Sequence, residues 1–395
     1  MKWTSAIGES PAIAEVVEET GDQILEALGG ASPDLAIVFV SPHFGPEYAR
    51  IPSLVEAKLG AARIVGCSAG GVIGAGREVE RRPGFSVTAA LLPEVVVTPL
   101  RVVAGELPDL DSSPTAWREV VGVDPTERPN FLLLADPFSF PADLFLQGVD
   151  FAFPQSVVIG GLASGAARPG GNGLFLDSDA FQDGLVGVCL QGNVAVDTVV
   201  AQGCRPIGKP LSVTEVQDNL LLGLNGKPPI EALQEIWETL NERDRRLVQS
   251  SLHLGVVMDP LIEEAGPGDY LIRNVIGVDT TRGALSVGEH LRSGQIVRFH
   301  LRDAATSAED LERVLSSYLA HRQGPSAEGA LLFSCLGRGE HLYGRPDHDT
   351  GLFREKLGEV PLGGFFANGE IGPVQGTTYL HGYTSSFGIF RPKTG

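Results

Sequence analysis

The same order of segments occurs three times in this chain. An apolar run is followed by a helical stretch, a second apolar run, a glycine-rich loop and returning strand-like runs. The units start near Leu35, Phe131 and Ala330, and their glycine loops lie at Gly66 to Gly71, Gly160 to Gly165 and Gly363 to Gly372. Short apolar runs rich in β-branched residues read as buried strands. An order repeated at this scale points to internal duplication. The fold class expected is α/β, a two-domain layered sheet-and-helix protein of repeated strand–helix–strand–glycine-loop–strand units. All three loops could then lie at corresponding strand ends. Glycine there permits tight turns and close approach of backbone to a neighbour or a ligand.

Within the first unit, Leu35 to Val40 and Arg63 to Gly66 are the strands, and a helix over about 47–59 joins them. An earlier helix over 10–28 has Ile13, Val16, Val17, Ile24, Leu25 and Leu28 on one face and stops at Gly29-Gly30. Ser86 to Leu92 and Val95 to Val103 read as a hairpin turning at Pro93-Glu94. In the second unit Phe131 to Leu134 and Ser156 to Ile159 are strands, and Pro141 to Gly148 is a short helix. The region between units two and three differs. Pro228-Pro229 open a helix expected to run to about Gln249, and the strands Leu252 to Met258, Tyr270 to Val278 and Ile296 to Leu301 follow. Pro206, Gly208 and Pro210 punctuate a boundary, so the domains expected are 1–205 and 206–395.

A chain of 395 residues is too long for one ordinary core. Its charge of −19 makes nucleic acid and anionic membrane surfaces poor partners. No uninterrupted apolar window is long enough for a membrane helix, and the first residues lack the apolar stretch of a signal peptide. Cys67, Cys189, Cys204 and Cys335 are dispersed with no CxxC, which favours reduced thiols and a cytoplasmic location.

Polar residues that could carry chemistry cluster on the glycine loops. Gly66-Cys67-Ser68-Ala69-Gly70 fits the G-x-S-x-G pattern of a hydrolase nucleophile elbow, which needs a strand before it and a helix directly after. The following Gly71-Val-Ile-Gly-Ala-Gly76 is a poor helix former. The amides of Gly70 and Gly71 could instead face a ligand carboxylate or phosphate. Arg338, between two glycines, could receive a carboxylate through paired hydrogen bonds. Asp349 or Glu370 could receive an ammonium group. Asp347-His348-Asp349, with His341 nearby, offers metal-type ligands but lacks helix phasing, and Asp347 or Asp349 as a helix cap is the simpler reading. With Cys335, Asn368 and His381, these residues form a candidate ligand-binding set: Cys67, Ser68, Gly70, Gly71, Cys335, Arg338, Asp349, Asn368, Glu370 and His381.

Gly66-Cys-Ser-Ala-Gly-Gly-Val-Ile-Gly74, Leu211-Ser-Val-Thr214 and Arg273-Asn-Val-Ile-Gly-Val-Asp279 together resemble the FIST domain family. So do Gly337-Arg-Gly339, Pro346-Asp-His-Asp349, Gly364-Phe-Phe366, Gly369-Glu-Ile-Gly372 and Leu380-His-Gly382. The resemblance spans roughly Pro33 to Phe390. It implies an N-terminal and a C-terminal FIST domain and a sensory role in intracellular signalling, with a small polar ligand and amino acids as the suggested class. The sequence has no extra residues for an output module, so any output is expected to come from a separate signalling partner protein, or there is none. The mechanism expected is differential binding, in which ligand closes the domain interface and so presents a new surface. No cofactor is expected from the residues; some relatives bind haem, which the resemblance alone allows. The alternatives are a hydrolase or acyltransferase working through Cys67, Ser68 or Cys335, and an interaction scaffold.

Overall fold

The computed structural model describes residues 1–262 and 264–393. Its first repeat runs β1 (Lys2–Gly8), α1 (Ile13–Ala27), β2 (Leu35–Val40), α2 (Ile51–Leu59), β3 (Ile64–Ser68), β4 (Gly71–Gly74), β5 (Arg77–Glu80) and β6 (Phe85–Leu91). The second has the same order: β7 (Val95–Val102), α3 (Pro114–Val121), β8 (Asn130–Ala135), α4 (Ala142–Ala152), β9 (Val158–Leu162), β10 (Leu174–Leu176), β11 (Asp179–Phe181) and β12 (Leu185–Gly192). The third opens with β13 (Ala195–Ala201) and is then interrupted by β14 (Arg205–Gln217), β15 (Leu220–Leu224), α5 (Pro229–Thr239), α6 (Glu242–Ser250), β16 (Leu252–Val257), β17 (Tyr270–Asp279), β18 (Ala284–Val287) and β19 (Ile296–Leu301). It resumes with α7 (Ala304–His321), β20 (Gly329–Cys335), α8 (Gly339–Tyr343), α9 (His348–Leu357), β21 (Leu362–Ala367), β22 (Glu370–Val374), β23 (Thr377–His381) and β24 (Ser385–Arg391).

The repeats interlock. The three six-stranded sheets read β1-β6-β2-β3-β10-β11, β7-β12-β8-β9-β22-β23 and β13-β24-β20-β21-β4-β5. Each repeat contributes four strands to its own sheet and sends the hairpin after its glycine loop to another sheet. The first repeat completes the third sheet, the second completes the first, and the third completes the second. One consequence corrects the sequence reading. Ser86 to Leu92 and Val95 to Val103 are not a hairpin: β6 pairs with β1 and β2, while β7 pairs with β12.

Alternation along each central strand makes two layers. Ile37 and Phe39 of β2, Leu132 and Leu134 of β8, and Leu331 and Phe333 of β20 meet in one core, where Phe365 stacks on Phe39 at 4.6 Å. The other face of the first sheet, with Ala36, Val38 and Val40, packs on α1 and α2. Phe131, Leu133 and Ala135 pack likewise on α3 and α4. The parallel pairs share one register, Val38 opposite Gly66, Leu133 opposite Gly160 and Leu332 opposite Gly364. A Cβ on these glycines would lie 2.1, 1.8 and 1.9 Å from the facing carbonyl oxygen, so no other residue fits there.

These sheets and their helices make one compact unit, residues 1–200, 314–380 and 384–395; residues 201–313 and 381–383 make the other. The division expected from sequence was a single cut after residue 205, whereas the compact units return to the first body after residue 313. The second unit is a closed barrel, β14-β15-β18-β17-β16-β19, filled by Ile207, Val213, Leu221, Leu254, Val297 and Phe299. The helix expected from Pro228 to Gln249 is two, α5 and α6. It breaks at Asn241, whose side chain accepts from the Asp244 amide and caps α6.

Candidate functional site

Aligned on the shared register, the three glycine loops read Gly66-Cys-Ser-Ala-Gly-Gly71, Gly160-Gly-Leu-Ala-Ser-Gly165 and Gly364-Phe-Phe-Ala-Asn-Gly369. Where the chain leaves its parallel strand, the loops bond to one another. The Ser164 amide donates to Ser68 O at 3.1 Å, Leu162 N to Gly369 O at 2.8 Å and Asn368 N to Leu162 O at 3.1 Å. The Ser164 hydroxyl donates to Phe366 O and accepts from Gly70 N at 2.8 Å. Ser68 Oγ lies 3.1 Å from Ser164 O and 3.3 Å from Asn172 Oδ1, and it accepts from Gly173 N. Asn172 donates in turn to Asp136 at 3.0 Å. The hydroxyl of Ser68 and the amide of Gly70 are thus engaged inside the protein. Leu336 occupies the space beside Gly70, and the Phe366 ring that beside Gly71.

The segment after Ser68 is β4, not the helix a nucleophile elbow requires. Cys67 is fully buried, and burial pushes its thiol well above the ordinary range. Such a thiol is a poor nucleophile.

A second network gathers around α8 and α9. Arg338 and Asp349, chosen from sequence as receptors for a ligand's two charges, bind each other. Arg338 Nε donates to Asp349 Oδ2 at 2.7 Å and Nη2 to Oδ1 at 3.2 Å. Nη2 also donates to the Tyr343 hydroxyl, and Ser385 Oγ donates to Asp349 Oδ2. Burial pushes the Asp349 carboxyl up, but the Arg338 charge and the bonds from His348, Arg338 and Ser385 outweigh it and hold it below the ordinary carboxylate range. His348 stacks on Tyr343 and reaches Asp349 through Nδ1 at 3.0 Å. Among the described residues no three His, Cys, Asp or Glu side chains gather as a metal cluster. Asp347 precedes α9 without capping it and accepts instead from the Glu78 amide.

The strand β5 fastens both short helices. Glu78 Oε1 accepts from Thr350 N at 3.0 Å, and Glu80 Oε1 from Glu340 N at 2.8 Å. Burial, and then the Asp349 charge, raise the Glu78 carboxyl to about 7. Arg338 Nη1, Glu78 Oε2 and Thr350 Oγ1 are buried without a hydrogen-bond partner. Thr350 also lines a cleft of about 250 Å³, whose wall includes Thr4, Ser5, Phe353, Arg354 and Glu359.

The other candidates are dispersed. Glu370 is buried and accepts from the Thr384 amide and hydroxyl at 3.0 and 2.7 Å. Asn368 is exposed, and Cys335 is half-buried with its sulfur 3.4 Å from the Gly337 amide. His381 belongs to the barrel unit. There the sequence reading missed a cluster: His253, Arg302 and Tyr383, with ring centroids of His253 and Tyr383 4.3 Å apart and the Arg302 guanidinium 5.1 Å from the Tyr383 ring. No motif marks these residues, because strand pairing and a distant turn bring them together. Of the buried imidazoles, His253 packs on Tyr383, while His300 packs on Tyr270 and lies with Nδ1 2.9 Å from the Arg298 carbonyl. Burial lowers both to about 4.

The FIST N domain matches residues 34–227 and the FIST C domain residues 231–373, so the chain belongs to the FIST family. FIST domains are sensory domains of signal-transduction proteins. An uncharacterized protein of Mycobacterium tuberculosis strain H37Rv is 37% identical over 99% of this chain and 100% of its own length. An uncharacterized protein of Mycobacterium bovis is 36% identical over 96% of each chain. Among solved structures, a cyanuric acid hydrolase from A. caulinodans covers 99% of this chain and 100% of its own at 10% identity, with a TM-score of 0.36. No helix among the described residues is long and apolar enough to cross a membrane.

Proposed function

We propose that this chain is a cytoplasmic sensory protein that binds a small zwitterion, an amino acid first, in the cleft beside α9, and relays occupancy to a separate partner protein. The observation that carries this reading is a guanidinium and a carboxylate, Arg354 and Glu359, lining one cleft of about 250 Å³, with neither side chain engaged in an ion pair or hydrogen bond among the described residues. A free amino acid needs an anion receptor, a cation receptor and a surface for its side chain. Arg354 supplies the first, Glu359 the second, and Phe353 and Leu362 the third. The hydroxyl of Thr4 adds an orienting bond, while that of Ser5 is held by Thr88 and the Ala75 amide.

Arg338 and Asp349 serve this reading as the frame. Their buried pair fixes the start of α9, from which Arg354 projects. The test is a thermal-unfolding screen of the full chain against the standard amino acids. A ligand at a hundred times its Kd adds about 2.7 kcal/mol, which for a chain of this size raises the midpoint by roughly 5 °C or more. A response to one or a few amino acids, lost in both Arg354→Ala and Glu359→Ala, is the expected result. Silence across the panel, or a response that both variants keep, would sink the proposal.

A further inference from the structure

Among the described residues, the barrel unit holds a buried arginine with no counter-charge. Arg302 is 7% exposed, makes no ion pair, and its Nε and Nη2 have no hydrogen-bond partner. Scarcity of acid does not explain this, since the chain has 49 Asp and Glu against 30 Lys and Arg. Four other partly or fully buried arginines have a carboxylate, Arg338 with Asp349, Arg391 with Asp197, Arg273 with Glu289 and Arg205 with Asp244, while Arg118 and Arg298 bond to backbone carbonyls. A buried guanidinium without a partner carries a full desolvation penalty, so an orphan of this kind calls for an occupant.

The two orphaned atoms name the chemistry. Nε–H and one Nη2–H point the same way from one edge of the guanidinium, and that edge matches the two oxygens of a carboxylate. A second orphan lies beside it. His253 is 6% exposed and its Nδ1 is also without a partner. It stands opposite His300 and Asn274 on the neighbouring strands. Burial keeps its imidazole neutral at physiological pH, so Nδ1–H can donate without adding a second buried charge. The Tyr383 ring covers both, packed on His253 and under the Arg302 cation. Its hydroxyl is held by Asn274 Oδ1, and its backbone sits at φ +69°, a left-handed conformation that a bulky residue rarely adopts. Strain held in place over unpaired polar groups is a mark of a binding site.

We propose that Arg302, His253 and Tyr383 form a binding site for the carboxylate of a small organic acid, with the Nε and Nη2 of Arg302 as its two donors and Tyr383 as its lid. The site lies wholly within the barrel unit and does not depend on the cleft beside α9 or on a zwitterionic ligand. Its test uses the full chain with isotope-labelled arginine, titrated with formate, acetate and inorganic phosphate at constant ionic strength against a chloride control. One Nε–H resonance, absent from Arg302→Lys, should move saturably with formate or acetate and not with chloride. Arg302→Lys keeps the cation but lacks the fork, so calorimetric affinity should fall on the order of tenfold or more.

His253→Phe keeps a ring against Tyr383 and removes Nδ1, and it should also weaken binding. It serves as the test variant if Lys at 302 prevents folding. An Arg302 resonance unmoved by either carboxylate overturns the proposal. So does a response to phosphate alone, or carboxylate affinity that the folded variants retain.

Discussion

A carboxylic acid that keeps its proton near neutrality lies beside one held ionised well below the ordinary carboxylate range. Glu78, raised from its ordinary 4.5 to about 7, and Asp349, held low, act on stability in opposite senses. Between about pH 4.5 and 7 the folded protein holds a proton on Glu78 that the unfolded chain has released. The Glu78 contribution is therefore complete below pH 4.5 and is lost as the pH rises through 7. The Asp349 contribution is present above its ordinary 3.8 and is lost as the pH falls. His253 and His300, lowered to about 4, oppose this by making stability rise with pH up to about 6.5, so the Glu78 contribution is read as a difference. Between about pH 5 and pH 8 the urea-derived stability of the wild type should fall relative to that of Glu78→Gln by on the order of 1–3 kcal/mol. An unchanged slope in that variant would locate the titration elsewhere. At this scale the sequence was half legible. Arg338 and Asp349 stood out on their loops, but only folding makes them partners for each other. Glu78 sat unremarked in Arg-Glu-Val-Glu, because its burial comes from α9, some 270 positions away in the chain.

Among the elements, the strands with pure apolar runs were readable and their partners were not. Leu35 to Val40 and Ala330 to Cys335 announce themselves by composition. The β4–β5 hairpin holds only Val72, Ile73 and Val79 among glycines and charges, and its strand character comes from pairing with β21. Sequence neighbours usually pair, and that expectation misled at Pro93-Glu94, where the chain steps from one sheet to the next instead of folding back. Helix packing offers a test of which force governs. Gly148 lies inside α4, where alanine would gain about 1 kcal/mol of helix propensity. A Cβ there would come within 2.2 Å of the Trp117 ring, which is fully buried between α3 and α4. Overpacking against a rigid ring costs about 1–3 kcal/mol or more. Gly148→Ala should therefore lower the thermal midpoint despite its better propensity; a rise would mean that α3 yields easily.

For the whole molecule, the threefold order of segments was visible in the glycine loops, while the exchange of hairpins among the three sheets was not. Nothing local records which sheet a β-hairpin joins. The barrel, by contrast, is closed within its own stretch of chain, from Arg205 to Leu301. These two facts predict opposite outcomes for fragments. Residues 201–313 should fold alone, giving dispersed amide resonances and a cooperative melt. Residues 1–227, which include the FIST N match, lack β20, β21 and β24, so β4, β5 and β13 have no sheet to enter. That fragment should aggregate or melt without cooperativity, and a well-folded monomer would contradict the exchanged topology.

The exchange also sets a timetable for synthesis. Ile73 leaves the ribosome early, yet its partner Gly364 follows roughly 300 residues later, which at about 5–20 residues per second is on the order of fifteen to sixty seconds. Through that interval the edge of β4, with apolar Val72 and Ile73, waits open to other chains. A cell making this protein must shelter that edge, and a nascent chain stalled before residue 362 would be one whose first repeat is complete in sequence but unable to close.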